Sequence, residues 1–167
     1  MKARLFWPTF LFVLVADFVS KRLAVAHLSP AGPPHRVVGD LLRLTLSYNR
    51  GAAMGLPLGS HASGVLGVVG VLAALFLLAW YLRVPADHLL LSTALGVLAG
   101  GALGNAWERL FSTRGVVDFI DVGIGAHRFW TFNVADSALT VGVVLLLLVF
   151  YREDRAHDAP PPDRHAS

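Results

Sequence analysis

The sequence predicts an all-α membrane protein: four transmembrane helices with a small β-sheet subdomain at one membrane face. Three observations predict it. Hydrophobic residues make up 55% of the 167 residues and charged ones only 15%, with a mean hydropathy of +0.61, too apolar for an ordinary soluble domain. Four apolar runs reach, or can be extended to, the ~20 residues that cross a bilayer at ~1.5 Å per residue. One stretch between them, Leu42 to Asn49, alternates apolar and polar residues instead, the period of a half-buried strand.

The first span follows Lys2 and Arg4, where Leu5 to Val15 is apolar. A secretory signal peptide is the competing reading, with Ala24-Val25-Ala26 as a cleavage site, but Asp17, Lys21 and Arg22 interrupt that pattern. To cross a membrane the helix must run from about Leu5 to Ala24. Asp17 and Lys21 then lie inside it, four apart on one face, acid before base. Lys21 alternatively snorkels to the interface.

His27 to Ser63 is a loop with a Pro/Gly-rich start. It contains the Leu42–Asn49 strand and then Asn49-Arg50-Gly51-Ala52-Ala53-Met54-Gly55, a turn-like run of small residues. Gly64 to Leu82 is a charge-free second span, and Leu89 to Ala106 a third. Gly96, Gly100 and Gly104 share one face of the third, with Gly101 beside them, so another helix can approach closely there. Ser137 to Phe150 is apolar but only about 21 Å long as a helix. The fourth span therefore starts near Phe132 and ends near Tyr151, which puts Asp136 within the membrane boundary. Residues 1–151 form the membrane domain; 152–167 are a polar, Pro-rich tail expected to be disordered.

Four spans alternate in direction. The end of the first, the end of the third and the start of the fourth share one side, and with them Asp17, Lys21, Asn105, Arg109 and Asp136, as well as the loop residues Asn49 and Asp118. Ionisable groups in spans are costly and point to function. The stretch Gly115 to Asp136 carries three carboxylates. Two of them face to face would make an acid/base pair; on composition, Asp118 and Asp121 are equal candidates to join Asp136. A proton-coupled carrier and a non-enzymatic assembly subunit are the rival functions, though a carrier predicts ionisable groups nearer mid-membrane. Zero cysteines exclude a thiol nucleophile and disulfides. The seven His show no HxxxH or HExxH spacing for zinc. A net charge of +3 with no dense basic cluster gives no nucleic-acid partner. With both termini inside, six Lys/Arg lie inside and eight of the 14 outside, so charge counting does not support that orientation.

Five motifs occur in order: Asp17-xxx-Lys21, Asn49-x-Gly51-Ala52-Ala53, Gly100-Gly101-Ala102-Leu103-Gly104-Asn105-xx-Glu108-Arg109, Val116-Val117-Asp118-Phe119 and Phe132-Asn133-Val134-Ala135-Asp136-Ser137. Together the set closely resembles bacterial lipoprotein signal peptidase (signal peptidase II), from the first span to the fourth. The resemblance implies a four-helix aspartyl endopeptidase of the bacterial cytoplasmic (inner) membrane, with its site and sheet on the outer side. Its substrate would be a diacylglyceryl-modified prolipoprotein, cut just before the lipidated cysteine. It selects Asp118 over Asp121 and implies Asp118 and Asp136 as the catalytic pair. Asn49, Gly51, Asn105, Arg109 and Asn133 match positions that shape the site and hold substrate; Asp17 and Lys21 match a supporting motif. No metal or cofactor is implied, membrane lipid is the surroundings, and a monomer is expected. Glu108 stands where the family usually has Asp, and Met54 where an aromatic is common. Two carboxylates about 4 Å apart repel by ~4 kcal/mol at an effective dielectric near 20, enough to keep one protonated near neutral pH. The pair then titrates as a unit.

Overall fold

The structure, a computed structural model, describes residues 1–50, 52–53, 56–57 and 61–157. Gly51, Met54 and the tail beyond His157 lie outside the described residues. In chain order the elements are α1 (Ala3–His27), β1 (His35–Val38), β2 (Leu42–Asn49), β3 (Ala52–Ala53), β4 (Leu56–Pro57), α2 (Ala62–Arg83), α3 (Leu89–Phe111), β5 (Val116–Ile124), β6 (His127–Arg128) and α4 (Val134–His157). Three helices, α2, α3 and α4, are long and apolar enough to cross a membrane. The expected tail begins too early: α4 stays helical through His157, six residues past Tyr151.

α3 is the hub, packed against each of the other helices. Two-thirds of its apolar span is buried (67%), against 11% for α2 and 22% for α4, whose remaining faces are free for lipid. Its glycines allow this closeness. A Cβ on Gly100 would lie 2.9 Å from the Phe10 carbonyl oxygen, and one on Gly101 would lie 2.7 Å from that of Ala135. Small residues let backbones meet where lipid supplies no hydrophobic drive. Away from the sheet, Phe6, Tyr81, Leu91, Leu95 and Val149 form one core, with Phe6 and Tyr81 stacked at 3.9 Å. Lys2 Nζ there donates to the Tyr81 and Val84 carbonyls at the C-terminal end of α2.

The alternating stretch forms β2 as expected, and its partner is β5 from the Gly115–Asn133 segment. The antiparallel sheet runs β1-β2-β5-β6. Residues His35 to Val38, read as part of an irregular loop, add the edge strand β1. Ser47 lies opposite Asp118, just past an irregularity between Leu44 and Ser47. A second core of Ala24, Leu46, Val117 and Phe119 joins the end of α1 to the sheet.

Candidate active site

The site grows from the start of α4. Asn133 precedes the helix, and its Oδ1 accepts from the Asp136 amide at 3.0 Å. The Asp136 carboxylate reaches back to the Asn133 amide at 3.2 Å. This is a reciprocal capping box, here written Asn-x-x-Asp. A further free amide of that first turn, on Ala135, is taken by Asp17 Oδ1 of α1 at 2.9 Å. Both carboxylates sit at the positive end of the helix dipole. The capping pattern was present in the sequence as Asn133-Val134-Ala135-Asp136 before an apolar run, a signal the motif reading passed over.

The Asn133 amide nitrogen donates to Asp118 Oδ1 at 2.7 Å and to Asn105 Oδ1 at 3.0 Å. Asn105 in turn donates to Asp136 Oδ1 at 2.8 Å. One side chain, Asn133, thus touches Asp118 with one end and the Asp136 backbone with the other. Asn133 is fully buried, and Asp118 and Asn105 nearly so, while Asp136 is half-buried. Burial is the first cause pushing the Asp118 carboxyl up from 3.8 to about 6, and repulsion by Asp136 the second. Hydrogen bonds from Asn133 and Asn49 and the charge of Lys21 hold it down. Repulsion between the acids, the cause expected from the sequence, is the smaller one; the dry setting of β5 is the larger.

Lys21 does not snorkel. It is 3% exposed and turns inward. Its three N–H groups meet three acceptors: Asp17 Oδ2 at 2.8 Å, Asn105 Oδ1 at 3.0 Å and Glu108 Oε2 at 3.1 Å. Glu108 Oε2 also accepts from the Val117 amide at 3.0 Å, next to Asp118. So Glu108, noted in sequence only as a departure, fastens β5 to α1 and α3. Its partner is Lys21 and not Arg109. Arg109 Nη1 is buried and, among the described residues, has no hydrogen-bond partner. Asp121 is three residues from Asp118 on the strand, so it points to the other face. There Arg128 Nε holds it at 2.9 Å and Thr45 Oγ1 at 3.3 Å. Gly51 falls outside the described residues. Among those described, no group of three or more His, Asp or Glu could hold a metal ion.

Residues 9–152 match the family model described as Signal peptidase (SPase) II. The chain belongs to the signal peptidase II family. It is 37% identical over 153 residues to a lipoprotein signal peptidase of Coxiella burnetii (strain RSA 331 / Henzerling II), covering 88% of this chain and 91% of that one. It is 39% identical over 136 residues to that of Geobacillus kaustophilus (strain HTA426), covering 81% and 86%. Among solved structures it is similar to a bacterial membrane enzyme determined by the in meso method at 2.3 Å resolution, with a TM-score of 0.77, 29% identity and coverage of 93% and 92%. Membership makes the chain a membrane peptidase of lipoprotein processing.

Proposed function

We propose that this protein removes the signal peptide from diacylglyceryl-modified prolipoproteins, cutting before the lipidated cysteine with Asp118 and Asp136 as the catalytic pair. Its relatives carry the name lipoprotein signal peptidase. The observation that carries the chemistry is the tie through Asn133 and Asn105 between two acids of unequal setting, one buried and raised to about 6, one half-exposed at a helix start. Pairs whose environments separate their protonation are suited to acid/base work.

The ionised partner takes a proton from a water, whose oxygen attacks the scissile carbonyl. The protonated partner hydrogen-bonds that carbonyl oxygen and then protonates the leaving amine. Asn133 and Asn105 fix where each acid points, and Lys21 with Glu108 fixes Asn105 and the start of β5. A bound substrate displaces water and raises the cost of ionising Asp118 further, which favours the shared-proton state. In this reading α1 is a fourth span in the bacterial inner membrane, and the acids lie at its outer rim. Acyl chains then stay in the bilayer while the peptide reaches the pair. Reconstitution with a synthetic lipidated precursor peptide tests this: mass spectrometry should show one cut before the modified cysteine, and none with Asp118→Asn or Asp136→Asn. Proton-coupled uptake without cleavage would replace the proposal with a carrier.

A further inference from the structure

A groove of about 760 Å³ follows the seam between α1 and α3. Neither acid of the pair lines it, nor does any residue of α4. Its lower wall is apolar and open: Val15 and Phe18 on α1 are 59% and 53% exposed, Trp107 and Phe111 on α3 58% and 67%. The Trp107 and Phe111 rings lie 4.5 Å apart. Its mouth is cationic. Arg22 sits one turn beyond Phe18, its guanidinium 5.1 Å from that ring. Arg114 follows the end of α3 and donates to the Tyr48 hydroxyl at 3.2 Å. Among the described residues neither arginine has a carboxylate partner. Lys21, deeper in the groove, is shared by two carboxylates, Asp17 and Glu108, so this cluster offers no cation to a ligand and the charge that can meet an anion is that of Arg22 and Arg114.

We propose that this groove is a binding site for one anionic glycerophospholipid, its phosphate taken by Arg22 and Arg114 and an acyl chain laid along Phe18, Trp107 and Phe111. Apart from the Asp17–Lys21–Glu108 cluster, the lining is apolar along the helices, with Arg22 one turn beyond Phe18 and Arg114 just past α3, which is the order of chain and headgroup in a lipid. Two unpaired guanidinium groups call for a phosphate, and their planar forks suit its oxygens. A neutral diacylglyceryl group would leave both unanswered, and the groove does not reach the acids that must stand beside a lipidated cysteine. The site also accounts for part of the Lys/Arg excess on this face.

The test uses the purified full-length protein in neutral detergent and native mass spectrometry. Phosphatidylglycerol, phosphatidylcholine and diacylglycerol compete as probes. A basic residue at a membrane surface is worth about fivefold in anionic lipid affinity. One phosphatidylglycerol should be retained about 25-fold over phosphatidylcholine, about fivefold for each arginine. Arg22→Gln with Arg114→Gln should bring the two lipids to near parity, whereas the paired Lys variants keep most of the preference. Added salt should weaken it. Thermal melting without lipid checks that the variants are folded. Equal retention of both phospholipids by the unaltered protein overturns the proposal. So does an undiminished preference in the folded Gln variant, or diacylglycerol displacing phosphatidylglycerol at equal concentration.

Discussion

Replacing Asp118 by Asn should abolish cleavage and stabilise the fold, by an amount that depends on pH. Holding the Asp118 carboxyl at about 6 instead of 3.8 corresponds to about 3 kcal/mol, at about 1.4 kcal/mol per tenfold. The sign follows from linkage. The folded protein holds this proton more tightly than the unfolded chain does. Its contribution is complete below pH 3.8 and is lost as pH rises to about 6. An amide cannot ionise and behaves like the protonated acid throughout. The stability gap between Asp118→Asn and the unaltered protein should therefore be only about 0.5 kcal/mol at pH 4 and grow to about 3 kcal/mol at pH 7.5. For a chain of this size that is about 6–12 °C in Tm at the higher pH. Melting both proteins in the same micelles at the two pH values measures the gap, and other titrations largely cancel in the difference. A gap that is constant, or that shrinks as pH rises, would refute the claim that Asp118 resists ionisation.

Asp136→Asn should lower kcat/KM by about 10⁴ or more, as loss of a reacting group does, in a protein that still melts cooperatively. In that variant the pH-dependent gap for Asp118 should narrow, since one source of repulsion is gone; an unchanged gap in melting would remove Asp136 from the pair. Lys21→Met leaves Asp17 and Glu108 without their cation and should cost about 3–5 kcal/mol of stability. Adding Asp17→Asn and Glu108→Gln should recover part of that loss in the same melting assay. Gly104→Ala brings a Cβ to 2.8 Å from Asp17 Oδ2, which should displace that carboxylate and cost about 1–3 kcal/mol. A Gly104→Ala protein with unaltered Tm and turnover would mean that Asp17 is free to move.

The helices were legible because hydrocarbon thickness sets their length, and the β2 strand because its side chains alternate. β1 was not: His35-Arg36-Val37-Val38 has no alternation to read, and its residues are all exposed along an edge. Asp136 at the start of α4 was legible from an apolar run too short to span. Glu108 was not, because its role depends on where β5 starts, and no spacing within α3 encodes the position of the Val117 amide. The fate of Lys21 was equally hidden. Whether a lysine near a helix end turns outward or inward depends on whether acceptors wait inside, and here three do, two of them from α3.

The same local chemistry explains why α1 is not among the helices apolar enough to cross a membrane by composition. A helix that begins inside a packed bundle leaves amides without partners. For α4, Asn133 and Asp136 exchange bonds with each other's amides, and Asp17 takes that of Ala135. A carboxylate in that place needs a counter-charge, and Lys21, one turn on in α1, supplies it at 2.8 Å. The ammonium has two donors left, and these orient Asn105 and Glu108, which in turn hold Asp136 and the amide beside Asp118. Charge inside α1 thus follows from how α4 starts: Asp17 takes an amide of its first turn, and Lys21 answers Asp17.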